Sequence, residues 1–135
     1  MNKLKKLITN GVKYIILIIV SFLAKTKTGR YIYSLIVDNA MNRTQKINYL
    51  GLELLFSVPN ELNQYRADSF STKEPETLEW IDGIPERSVI WDIGANVGLY
   101  SCYSVKKRNC RVFSFEPSIF NLELLARNIF LNGLT

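Results

Sequence analysis

One stretch, Val89 to Pro117, constrains the fold more than any other part of the chain. Val89-Ile90-Trp91-Asp92-Ile93 is a short, nearly continuous apolar run, the pattern of a strand buried on both faces of a parallel sheet. It feeds directly into Gly94-Ala95-Asn96-Val97-Gly98. Leu99 to Lys107 then reads as a helix, and Arg111 to Phe115 as a second strand with Glu116-Pro117 at its end. Ser118 to Leu131 reads as another helix, with Leu122, Leu125 and Ile129 on one face. Asn132-Gly133 supplies its stop. The order β-α-β-α predicts an α/β domain with right-handed crossovers and a parallel sheet. Trp91, Phe113 and Phe115 are expected in its core, whereas Asn121 and Asn128 are expected on helix surfaces. Tyr100 and Tyr103 are expected to pack within the helix layer, with one of them able to line a cleft.

This order also places chemistry. Ligands of open α/β sheets bind outside the carboxyl ends of the strands. The 94–98 loop and Glu116 both belong at such ends. Gly94 and Gly98 allow a sharp turn and a close approach of backbone to a ligand. Asp92 can accept hydrogen bonds from loop amides or from a ligand ammonium, and Asn96 can hold the loop by bonding its own backbone. Glu116, 18 residues past Gly98, can accept the hydroxyls of an adenosine ribose. A dinucleotide site would want Gly-x-Gly-x-x-Gly aimed at a pyrophosphate. Here the spacing is Gly94-x-x-x-Gly98 behind an acid, which counts against a nicotinamide-dependent oxidoreductase. An acid at Asp92 repels a pyrophosphate and suits the cationic methionine end of S-adenosylmethionine. No Gly-Lys-Ser/Thr follows, so a phosphate-binding P-loop is excluded. A ligand-free alternative stands beside this reading: a tight strand-to-helix turn, with Glu116 capping the helix that begins near Ser118.

The segments upstream are simpler. Lys46 to Val58 reads as a β-hairpin, with a turn at Asn48-Tyr49-Leu50-Gly51 and a strand at 52–56 ended by Pro59-Asn60. Asn60 to Ser71 reads as polar and irregular. A helix is predicted from about Pro75, capped by Ser71 or Thr72 with Glu74 completing a capping box, burying Leu78 and Ile81 and stopping near Gly83. Residues 29–43 predict another helix. Asn42-Arg43-Thr44 matches the N-glycosylation pattern, which a cytoplasmic chain would not use.

The net charge of +5 is concentrated at the start. Lys3, Lys5, Lys6, Lys13, Lys25, Lys27 and Arg30 give residues 1–30 a charge of +7 with no acid, leaving 10 basic and 12 acidic residues, or −2, for the rest. No base-stacking motif accompanies these lysines, so nucleic acid is not the expected partner, and contact with an anionic membrane surface through residues 1–30 fits better. Residues 14–24 are an apolar run bracketed by Lys13 and Lys25. Three readings compete for it: a helix packed on protein or lying at a membrane surface, a signal-peptide core, and a short signal anchor. A bilayer span needs about 20 apolar residues. With two cysteines, Cys102 and Cys110, and no histidine, neither a metal site nor a disulfide framework is expected, and a cytoplasmic, reducing setting is the default.

On these residues the chain resembles the FkbM-type methyltransferases. The resemblance rests on Lys73-Glu74-Pro75-Glu76-Thr77, on Val89 through Ser101 with its Asp-Ile-Gly-Ala-Asn-Val-Gly loop, on Phe115-Glu116-Pro117-Ser118, and on Asn128 with Leu131-Asn132-Gly133. It covers about residues 46–135. It implies a Rossmann-like class I methyltransferase fold, here incomplete, holding its first β-α-β-α units. The organisation implied is a basic, apolar helical segment over residues 1–45 followed by the N-terminal half of the methyltransferase domain over 46–135. The resemblance further implies an S-adenosylmethionine site formed by Asp92, Gly94, Ala95, Asn96, Gly98 and Glu116, with Pro117 and Ser118 near the adenosine. Methyl transfer to a hydroxyl of a sugar or polyketide-like acceptor is the activity implied. No catalytic base is assigned, since it is expected beyond Thr135, in a missing C-terminal half or a partner chain. The rival expectation is a noncatalytic, membrane-associated or interaction fragment that keeps part of the fold.

Overall fold

The computed structural model describes the backbone of residues 3–134 and the side chains of residues 9–134. The chain divides into two compact units, Met1–Ala40 and Met41–Thr135.

The first unit consists of two helices, α1 (Lys3–Leu23) and α2 (Lys27–Met41), the last residue of α2 already belonging to the second unit. The elbow between them is fixed by local hydrogen bonds. Leu23 O accepts from Thr26 N at 3.2 Å, and the Thr26 hydroxyl caps α2 by accepting from Gly29 N at 2.9 Å. Gly29 is buried here, and a Cβ at this position would collide with the Leu23 carbonyl.

The second unit opens with an antiparallel hairpin, β1 (Thr44–Tyr49) and β2 (Leu52–Ser57), in register from Thr44↔Ser57 to Tyr49↔Leu52. Its two-residue loop, Leu50-Gly51, has both φ angles positive, at 48° and 78°, as a tight hairpin of right-handed twist requires. Residues 60–71 depart from the irregular segment expected: Glu61–Asp68 form α3. Asn60 caps it by accepting from Asn63 N at 3.0 Å, with Glu61 in the first turn. Helix α4 spans Pro75–Gly83 and buries Leu78 and Ile81. Its N-cap is Glu74 rather than Ser71 or Thr72, and no side chain caps it. Pro75 at the first position needs no partner for its nitrogen, which is why the helix starts there without one.

Then follow β3 (Val89–Ile93), α5 (Leu99–Arg108), β4 (Arg111–Phe115) and α6 (Ile119–Leu131). Strands β3 and β4 pair in parallel, from Val89↔Arg111 to Ile93↔Phe115. This register sets the start of the glycine loop beside Glu116. The unit is therefore mixed α/β with two small sheets.

Only one face of the β3–β4 sheet is covered among the described residues. Ile90 turns inward and is buried, whereas Val89, Trp91 and Ile93 are 60%, 68% and 78% exposed. Alternation of side chains across a strand accounts for this. The expectation of a strand buried on both faces is thus corrected, and with it the core placement of Trp91, Phe113 and Phe115. These are exposed, and Trp91 and Phe115 pack on each other at 5.8 Å between ring centroids. The core lies on the other side: Leu54 and Phe56 of the hairpin, Phe70, Leu78, Ile81, Cys102 and Tyr103. Phe70 sits between Tyr49 and Tyr103, edge-on to each at 5.7 and 5.6 Å.

Helix α6 is bound to the open edge of β2 by two asparagines. Asn128 Oδ1 accepts from Ser57 N at 2.7 Å, and its Nδ2 donates to Val97 O at 2.7 Å. Asn132 Oδ1 accepts from Leu55 N at 3.0 Å, and its Nδ2 donates to Leu55 O at 2.7 Å. Asn128 is fully buried, which corrects its expected surface position, and Leu122 is exposed rather than on the packed face. Leu125 is buried and Ile129 packs on the core, as expected, and Leu124 and Asn128 complete the packed face.

Candidate functional site

The 94–98 loop is clamped at the carboxyl ends of both strands. Gly94 N and Ala95 N both donate to Phe115 O, at 2.9 and 3.0 Å. Asn96 N donates to Glu116 Oε2 at 2.8 Å. Gly98 N closes the turn on Ala95 O at 2.8 Å. Gly94 and Gly98 have φ of +85° and +80°, a conformation that costs little only for glycine. At Gly98 a second constraint applies, because a Cβ would lie 3.1 Å from Leu125 Cγ.

Glu116 takes on most of the work of holding this end of the sheet. Its Oε1 accepts from Ser118 N at 2.9 Å and from Asn121 Nδ2 at 3.3 Å. Hydrogen bonding from the Ser118 amide, joined by Asn121 and Asn96, holds its carboxyl below the usual carboxylate range although burial opposes this. The bland expectation that Glu116 caps the following helix is therefore met in the geometry, since it bonds the residue just before α6. A carboxylate offers about four acceptor positions, and three are used within the chain. Ser118 is the N-cap of α6, its hydroxyl accepting from Asn121 N at 3.4 Å, and Pro117 is exposed beside it.

Asp92 points from the end of β3 toward α5. It accepts a short hydrogen bond from the Ser101 hydroxyl, which also pairs with Ser114 Oγ at 2.8 Å. The expected bonds from loop amides go to Phe115 O and Glu116 instead. Asn96 does not bond its own backbone: its Oδ1 is buried and has no partner. Its backbone lies in the left-handed region, at φ 55°.

Beside this loop lies a cavity of about 270 Å³. Asp92, Gly94, Ala95 and Asn96 line it from the strand end, Leu99 and Tyr100 from the first turn of α5, and Arg66, Phe70, Lys73 and Glu74 from the opposite wall. The cavity thus brings together four of the residues expected at the site, and Gly98, Glu116, Pro117 and Ser118 frame the loop without lining it. It holds charges of both signs: Arg66 and Lys73 against Glu74 and Asp92. Lys73 is paired with Glu74 at 3.1 Å, and Arg66 Nη1 donates to Asn63 Oδ1 at 2.9 Å. Burial raises the Tyr100 phenol to about 12, and the Glu74 carboxylate beside it adds to the rise. Tyr100 is therefore a neutral hydrogen-bond donor at physiological pH and no base.

A larger cavity, about 580 Å³, opens between α5, β4 and α6 and is lined by both cysteines. No residue of the 94–98 loop lines it. Cys102 is buried, which raises its thiol to about 12 and leaves it un-ionised. Neither cysteine is placed for chemistry at the glycine loop.

Arg66, Ser69 and Phe70 also line the cavity, and the sequence does not mark them for it because their segment reads as polar and irregular. Asn60-Glu61, a helix-start pattern, and Phe70, a lone aromatic in a polar stretch, were the available signals.

No family model matches the chain, and no curated protein or solved structure is significantly similar to it.

Proposed function

We propose that residues 46–135 bind S-adenosylmethionine on a Rossmann-like sheet and serve O-methyl transfer of the FkbM type. The observation that carries this reading is the clamped Gly94–Gly98 loop at paired parallel strand ends, beside a cavity of mixed charge. The residues present fit the cofactor. Its methionine end is a zwitterion, and of the residues lining the cavity Asp92 would hold the ammonium and Arg66 the carboxylate. Asn96 Oδ1, buried beside the loop, has no hydrogen-bond partner of its own. Glu116 retains acceptor capacity for a ribose hydroxyl. Bound there, the cofactor supplies an electrophilic methyl group. The chain's own residues bind and orient it, and positioning of this kind is the main catalytic lever in such transfers. The acceptor class proposed is a sugar or polyketide-like hydroxyl.

Calorimetric titration of the full chain with S-adenosylmethionine tests this. Binding that is lost in Asp92→Asn and in Glu116→Ala supports the reading. A folded chain that takes up no cofactor refutes it. The exposed Trp91, Ile93 and Phe115 face favours a second reading, a noncatalytic interaction fragment, which that negative result would leave ahead.

A further inference from the structure

The α1–α2 unit plays no part in the cofactor reading, and its surface has the chemistry of a different partner. Ile15, Ile18 and Phe22 of α1 and Tyr31, Leu35 and Ile36 of α2 are each at least half exposed. Exposed apolar side chains clustered on neighbouring helices mark protein or membrane interaction sites. On α1, at about 100° per residue, Asn10, Lys13 and Ser21 fall on one side and Ile15, Ile18, Ile19 and Phe22 on the other. A helix apolar on one side and polar and cationic on the other suits the interface plane of a bilayer.

The charges are arranged to match. Lys13 stands at one end of the apolar run, and Lys25, Lys27 and Arg30 at the other. The first acid in the chain is Asp38. The second cation group is held in place rather than tethered loosely. The Thr26 cap and the bond from Arg30 Nη1 to Ala24 O, at 3.3 Å, fix the elbow that carries it. Tyr14, Tyr31 and Tyr33 lie close to these ends, and tyrosine combines an apolar ring with a polar tip suited to the headgroup region.

We propose that the α1–α2 unit docks on the surface of an anionic lipid bilayer. The apolar run of α1 lies at the boundary between headgroups and acyl chains, with the flanking cations reaching lipid phosphates. Spanning is a poorer fit. The run between Lys13 and Lys25 has 11 residues, against about 20 for a span. Among the described residues no helix is long and apolar enough to cross a membrane.

The test is flotation of the full chain with vesicles of phosphatidylcholine alone and of phosphatidylcholine with phosphatidylserine. The chain is expected to float preferentially with the anionic vesicles and to be released by high salt or carbonate. Lys25→Gln with Lys27→Gln should weaken partitioning about thirtyfold, from the usual contribution of two cations at a membrane surface. Ile18→Glu with Phe22→Glu should abolish it while circular dichroism still shows a folded chain. Absence of flotation, equal binding to neutral vesicles, or retention after carbonate would each overturn the proposal, the last in favour of a span.

Discussion

Asn128 is the side chain whose loss should be felt most widely, because it joins three parts of the second unit at once. It accepts from Ser57 N on β2, donates to Val97 O in the glycine loop, and belongs to α6. Asn128→Leu keeps about the same volume but leaves a buried N–H and a buried carbonyl without partners. Each unsatisfied group costs about 1–3 kcal/mol, so the substitution should destabilise by about 2–6 kcal/mol. A domain of this size is usually stable by roughly 5–14 kcal/mol, so the loss is a large share. The assay is urea unfolding followed by circular dichroism, with the exposed Asn48→Ala as a control expected to fall within about 0.5 kcal/mol of the parent. At the lower end of the range the melting temperature should already drop by about 10 °C. A loss under about 1 kcal/mol would refute the reasoning, because it would mean that those two backbone groups find other partners.

Other outcomes follow from the same geometry. Since the Glu116 carboxyl is held below its ordinary value near 4.5, its stabilisation is complete above that pH and lost as pH falls through the lowered value. Unfolding midpoints of the parent should therefore fall more steeply on acidification than those of Glu116→Gln, and parallel curves would contradict this. Gly98→Ala should destabilise more than Gly94→Ala, since both have positive φ but only at Gly98 does a Cβ crowd Leu125, whereas no atom lies within 4 Å of a Cβ at Gly94; the reverse order in urea melts would disprove the packing argument. The Cys102 thiol, raised to about 12 by burial, should resist iodoacetamide at neutral pH until the chain is unfolded, and rapid labelling of the folded chain would show the site to be open.

What the sequence disclosed divides along a physical line. Strands β3 and β4, helix α5 and the glycine loop are legible because their signals are local: short apolar runs, positive-φ glycines and an acid at each strand end. The hairpin turn at Leu50-Gly51 and the buried pair Leu78 and Ile81 are legible for the same reason. The position of Asn128 is not, because its partner on β2 lies 71 residues away and nothing near it in sequence marks it as buried. Trp91, Phe113 and Phe115 read as core by composition, yet burial needs a covering layer, and the described residues cover one face of that sheet only. Helix α3 was hidden by its polarity. It is held by its Asn60 cap and by the burial of Asn63 and Ala67 rather than by an apolar stripe. That omission also hid Arg66, a cation lining the same cavity as Asp92.

Cofactor binding at the glycine loop is tested most directly by titrating isotopically labelled full chain with S-adenosylmethionine and following the backbone amide resonances. Shifts are expected at Asp92, Gly94 to Gly98 and Glu116, and at Arg66 and Tyr100, which line the same cavity. An unchanged spectrum of a folded chain, or shifts confined to the cavity lined by Cys102 and Cys110, would contradict it.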